Sequence, residues 1–286
     1  MSATARPARS KISGFAVIGA ALLAAVFFQG CAVAVFPPSV AGKPYVRLYS
    51  RVGDTAVWIV SGPYIRERLD EEFTNFGQHY GFRFIPKDEF WLDDQGAPGE
   101  EPFFIEHLLV ERRLMAGGMA YDPALDEADK VEQAARDKTP LAREGEALLK
   151  AGRRDELIAR IHQQLLSELS RDVKVWIVDG ELVRDVFDID FTEGGHDKVY
   201  SFVPANEVWL DNDVLPGERR FILLHEMHER HLMSLGWKYA EAHADSSRIE
   251  YDCRRHPEKL DAALRAEIEK NRDLPAPLRK ASAGRS

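Results

Sequence analysis

A chain of 286 residues with 45% apolar and 30% charged side chains has the composition of an ordinary globular protein, long enough for one large or two modest domains. A formal net charge of -9, with no Lys/Arg stripe to offset it, argues against a nucleic-acid partner. Two cysteines, Cys31 and Cys253, exclude a Cys-rich metal cluster, so any metal must be held by His and carboxylates.

Arg6, Arg9 and Lys11 precede an apolar run over residues 12–36 in which Gln29 is the only strongly polar side chain, the pattern of an export signal or membrane anchor. Two readings stay open. Gly30-Cys31 resembles a lipoprotein cleavage site, after which Cys31 would carry lipid, although Phe28 stands where such a box usually has Leu. Uncut, the run is long enough to span a bilayer as a single helix. Either way the basic flank stays inside, and the chain after Pro37-Pro38 is delivered to the periplasmic side of a cell envelope.

The next stretch carries an internal repeat. A shift of 118 residues lays Val57-Trp58-Ile59-Val60 on Val175-Trp176-Ile177-Val178 and Glu89-x-Trp91-Leu92-Asp93 on Glu207-x-Trp209-Leu210-Asp211 without a gap. The same shift lays His107 and Glu111 on His225 and Glu229, and Gly118 and Tyr121 on Gly236 and Tyr239. The expected fold is α+β: two tandem copies of a module of short antiparallel strands followed by a helical hairpin. Copy 1 spans 44–135, a helical connector 136–171, copy 2 172–272, and a disordered tail 273–286.

Within copy 2, residues 173–186 have strand composition broken by Asp179-Gly180, a hairpin signal. Thr192-Glu193-Gly194-Gly195 reads as a turn-rich stretch, and the tract through His196 and Asp197 as a plain turn. A second strand is predicted over 198–203 and a third around Val208-Trp209-Leu210. A helix then runs from about 219 to 235 and stops at Gly236, and another covers 239–256. Buried Cys253, turn-forming Asp70 and Asp188, and Trp side chains in cross-strand pairs complete the expectations.

At 100° per residue, Phe221, Leu224, His228, Leu232 and Leu235 share one face of the first helix, with His225 on its shoulder and Glu229 one turn along. Residues four apart are neighbours, so His225 and Glu229 can bind one ion together. His243 on the next helix is the natural third ligand once the chain turns back at Gly236. That makes a His₂Glu set suited to Zn²⁺, with a fourth position left for water and Glu226 as general base. Copy 1 has Leu108 at the place of Glu226 and Leu125 at the place of His243, so it is expected to be a metal-free scaffold or recognition half. His228 faces Val110 in the repeat register and reads as a core histidine. Glu250 reads as a solvated or Arg-paired helix residue ahead of a fourth ligand or a partner holding a His ring.

The string His225-Glu226-x-x-Glu229-Arg230-x-Leu232-Met233-x-x-Gly236-x-x-Tyr239-x-x-Ala242-His243 resembles an uncharacterised bacterial family carrying this module. More distantly the helix is similar to that of zincin-type metallopeptidases. That resemblance implies His225 as ligand, Glu226 as catalytic base and Glu229, in place of a second His, as the next ligand. The expected function is a membrane-tethered, metal-dependent hydrolase or peptidase acting on envelope proteins or peptides. The alternative is a non-catalytic envelope lipoprotein serving as a structural or partner-binding module.

Overall fold

The computed structural model describes residues 44–272 without 97, 167, 168 and 171, together with residue 274. The apolar N-terminal run, Cys31 and all but Leu274 of the expected tail lie outside the described residues. Among the described residues no helix is long and apolar enough to cross a membrane.

The fold is two α+β modules in tandem. The first contains β1 (Tyr45–Val52), β2 (Thr55–Val60), α1 (Gly62–Arg68), β3 (Phe76–Gln78), β4 (Glu89–Asp93), α2 (Glu101–Ala116) and α3 (Tyr121–Arg136). Helices α4 (Pro140–Lys150) and α5 (Arg154–Ile161) lead to the second module. That module repeats the order with β5 (His162–Leu165), β6 (Lys174–Val178), α6 (Gly180–Val186), β7 (Gly194–His196), β8 (Glu207–Asp211), α7 (Arg219–Ser234) and α8 (Tyr239–Arg255), and adds α9 (Leu260–Lys270). The sheet orders are β1-β2-β4-β3 and β5-β6-β8-β7.

The sheets are mixed, and the difference from a purely antiparallel expectation has a local cause. β6 does not turn into a hairpin at Asp179-Gly180. Asp179 accepts a hydrogen bond from the Leu182 N–H at 3.0 Å and caps α6, whose crossover makes β8 parallel to β6. Gly180 is required by a close approach and not by a β-turn, since a Cβ there would overlap the Asp211 carboxylate. Gly62 stands in the same relation to Asp93 in the first module.

Two further predictions move. Residues 198–203 form turns, while the third strand of the sheet is Gly194–His196, which pairs antiparallel with β8. Its glycines mask a strand by composition, because close packing against Tyr200, Phe191 and Ile222 leaves no room for side chains. β5 falls inside the segment read as a helical connector and supplies the outer strand of the second sheet.

Alternation along β6 and β8 divides the second module's core. Val175, Ile177, Val208 and Leu210 pack with Leu223, Leu224, Met227 and Cys253 on one face. Val178 and Trp209 pack with Leu182, Val183 and Phe191 on the other. Trp58 pairs with Trp91, and Trp176 with Trp209, across the parallel strands. Each fully buried Leu or Met on α7 contributes about 1.5–3 kcal/mol, so this helix is anchored by its apolar residues before any polar contact is counted. α7 is also buried more completely than a one-faced amphipathic helix: Ile222 through Arg230 are all buried, because α8 and α9 cover the side turned from the sheet. Leu235, assigned to the buried face by periodicity, is 64% exposed beyond the last turn.

Candidate metal centre

α7 and α8 run back to back after a left-handed turn at Gly236, whose φ of +94° suits glycine. The return brings three of the four sequence-predicted residues to one point. His225 Nε2 lies 3.1 Å from His243 Nδ1 and 3.8 Å from Glu229 Oε2, and His243 Nδ1 lies 3.1 Å from Glu229 Oε2. The point equidistant from the corners of such a triangle is about 2.0 Å from each, the length of a zinc–nitrogen or zinc–oxygen bond.

The far atoms of the three side chains decide what the near atoms offer. His225 Nδ1 is 2.9 Å from Glu250 Oε2, and Glu250 is itself held by Arg254 Nε at 2.8 Å. His243 Nε2 is 3.3 Å from Glu72 Oε2. In the neutral rings these carboxylates take the N–H, which leaves His225 Nε2 and His243 Nδ1 with lone pairs facing Glu229. Glu229 Oε1 is 3.0 Å from His196 Nε2, while His196 Nδ1 accepts the Lys198 backbone N–H at 3.1 Å. His196 Nε2 thus lies against one Glu229 oxygen while the other faces the two histidines. With the rings neutral, three electron-pair donors meet at one point, and the set could hold a small divalent ion in place of the protons that otherwise bridge it.

No family model, curated protein or solved structure matches the chain.

The electrostatics follow from the same contacts. Burial alone would raise the Glu250 pKa, but His225 and Arg254 hold it down at about 2. Burial would lower that of His243, yet hydrogen bonds to Glu229 and Glu72 push it up to about 9. Glu226 behaves oppositely. Buried beside the Glu229 charge, its carboxyl is pushed up to about 7 even though His196, His225 and His243 oppose the shift. Glu226 stands one residue from the donor set, and with His196 and Glu229 it forms a second close group that shares Glu229. Either group could hold an ion.

Of the readings the sequence offered for Glu250, the residue is Arg-paired and holds a His ring, and it is buried where a solvated position was also expected. His228 is a core histidine gripped on both sides, by Asp245 at 2.9 Å and Glu267 at 3.1 Å. His196 and Glu72 were missed. The repeat register did contain a signal for the first: Gln78 stands at the place of His196 and its Nε2 donates to Glu111 Oε1 at 2.9 Å, just as His196 faces Glu229.

The first module keeps the outer supports and lacks the centre. His107 Nδ1 is 3.0 Å from Glu132, as His225 is from Glu250. Leu125 and Leu108 bring neither the second imidazole nor the extra carboxylate. Phe76, which replaces Gly194, lays its ring 4.8 Å from that of His107, whereas in the second module the Gly194 backbone passes above Glu226.

Proposed function

We propose that the second module holds a divalent metal ion, with zinc as the ion, on His225, Glu229 and His243, and uses it for hydrolysis with Glu226 as general base. The observation that carries this reading is the 3.1, 3.1 and 3.8 Å triangle of donor atoms whose far sides are all committed to other partners. A bound ion would act as a Lewis acid and lower the pKa of a water in its open position towards neutrality. His225 and His243 orient by giving their outer N–H groups to Glu250 and Glu72. Glu226, with a pKa near the working pH, is suited to take a proton from the attacking water and return it to the leaving group. The substrate class proposed is a peptide or protein of the cell envelope. The chain would be tethered on the periplasmic side by its N-terminal segment, through lipid at Cys31 or as an uncleaved helix.

The test is metal analysis of the full chain, purified in detergent, beside its Glu229→Ala variant. One ion per chain in the parent and none in the variant supports the reading; a parent without stoichiometric metal sinks it. A metal-loaded chain that cleaves no member of a broad peptide library would instead favour the non-catalytic lipoprotein.

A further inference from the structure

The first module reaches into the second module's centre. Glu72 lies on the segment between α1 and β3, and its Oε2 approaches His243 Nε2 across 171 positions of chain. Its backbone is fixed by Asp70, whose Oδ1 accepts the Glu72 N–H at 3.0 Å. The two nitrogens of an imidazole point in divergent directions, so a group on Nε2 cannot also reach the point shared by His243 Nδ1, His225 Nε2 and Glu229 Oε2. Glu72 is therefore no ligand. It can set which nitrogen carries the proton and how the ring is turned.

We infer that Glu72 is a positioning residue for His243, so that the centre in one module is complete only with a side chain from the other. The inference rests on the metal-site reading above. Every other donor has its support inside the second module: Glu250 for His225, His196 for Glu229. His243 alone takes its support from outside, and it is the least buried of the three donors, with 23% of its side chain exposed, so an unsupported ring would be free to turn. The repeat runs the other way too. Asp190 is the counterpart of Glu72 and lines a cleft of about 470 Å³ beside His107, where Leu125 offers no ring nitrogen to hold. The duplication thus places an acidic side chain at the same position of each module, and that of the first, Glu72, meets an imidazole of the second.

The experiment compares the full chain with Glu72→Gln and Glu72→Ala, titrating Zn²⁺ against a chelator and recording the visible spectrum of the Co²⁺-loaded protein. A carboxylate behind a ligating histidine is worth about 10–100-fold in metal affinity, and Glu72→Ala should lose an amount in that range with an altered Co²⁺ spectrum. Glu72→Gln, which still accepts from Nε2–H but carries no charge, should lie between Ala and the parent. A purely structural role for Glu72 would lower the melting temperature while leaving the spectrum of the folded, loaded protein alone. Parent-like affinity and spectrum in Glu72→Ala overturn the inference. If that variant does not fold, parent-like values in Glu72→Gln do the same. A parent that takes up no metal fails the metal-site reading itself, which is a distinct result.

Discussion

Glu226 and His107 show what one changed neighbour does to a buried ionisable group. In Glu226→Gln the donor triangle is untouched, so the variant should keep its metal while losing on the order of 10²–10⁴ in hydrolytic rate, the usual contribution of a positioned general base. Parallel metal analysis and single-turnover assays check this, and a Gln variant with parent-like turnover removes Glu226 from the mechanism. His107 sits in the module without the second imidazole. Burial would lower its pKa, but Glu132, with Glu111 and Asp129, more than reverses the shift. A histidine whose folded pKa is raised stabilises fully below the unfolded value near 6.5, and that contribution fades as pH rises through the folded value. The stability difference between the parent and His107→Gln should thus be largest in mild acid and shrink on the alkaline side, read by urea unfolding across pH. A difference that grows with pH would falsify this assignment. At this scale His225, Glu229 and His243 were legible because helical spacing and the Gly236 turn relate them locally. Glu72 was not, since no periodicity connects a loop residue of one copy to a helix of the other.

Among the elements, the βα turns explain both the fold and the way the sequence misleads. Asp-Gly after an apolar run has the composition of a hairpin, but the glycine is there so that the end of a parallel strand can lay its Asp against the start of a helix. In the first module Asp93 also holds Arg66 Nη1 at 2.7 Å, and Arg66 is wholly buried. Gly62→Ala sets two effects against each other. Alanine is favoured over glycine in a helix by about 1 kcal/mol. Its Cβ would displace the Asp93 carboxylate and break a buried pair, a loss of roughly 3–5 kcal/mol. The second is larger, so Gly62→Ala should destabilise by on the order of 3 kcal/mol in urea unfolding, and a neutral or stabilising result would show that Asp93 has room to move. The helical hairpins α2–α3 and α7–α8 were readable because their caps and period lie in consecutive residues. β7 was hidden for the opposite reason: a strand made of Gly-Gly-His has no apolar alternation, and its identity comes from pairing with β8 and from rings packed against it.

Across the whole molecule, the repeat predicts two similar modules but says nothing about how they join, and the join is ionic. Arg184 of the second module places Nη2 2.6 Å from Glu100 of the first, and Arg136 Nη1 adds a contact to the same carboxylate at 2.8 Å. In return Arg66 of the first module reaches Glu193 at 3.0 Å and Glu218 at 3.6 Å in the second. Arg66, Arg136, Arg184 and Glu100 are buried, so their worth lies less in net attraction than in the cost of separating them. Removing one partner leaves charge in a place that water cannot reach, at about 3–5 kcal/mol. Burial would raise the Glu100 pKa, but Arg184 and Arg136 keep it below the ordinary range, so the group is ionised at neutral pH; its loss takes one partner from each guanidinium and leaves Arg184 to Asp211 and Asp213, and Arg136 to Glu132 and Asp185. Glu100→Ala should therefore destabilise the chain by about 1.5–3 kcal/mol, the loss of charge-assisted hydrogen bonds from cations that keep other partners. Because those cations belong to different modules, the loss should appear as one shifted, still single urea transition followed by tryptophan fluorescence, with Trp58 and Trp91 reporting on the first module and Trp176 and Trp209 on the second. Two separated transitions in the parent would mean that the modules fold independently. That result would also weaken the case for Glu72, because a positioning contact across the join holds only while the join is closed.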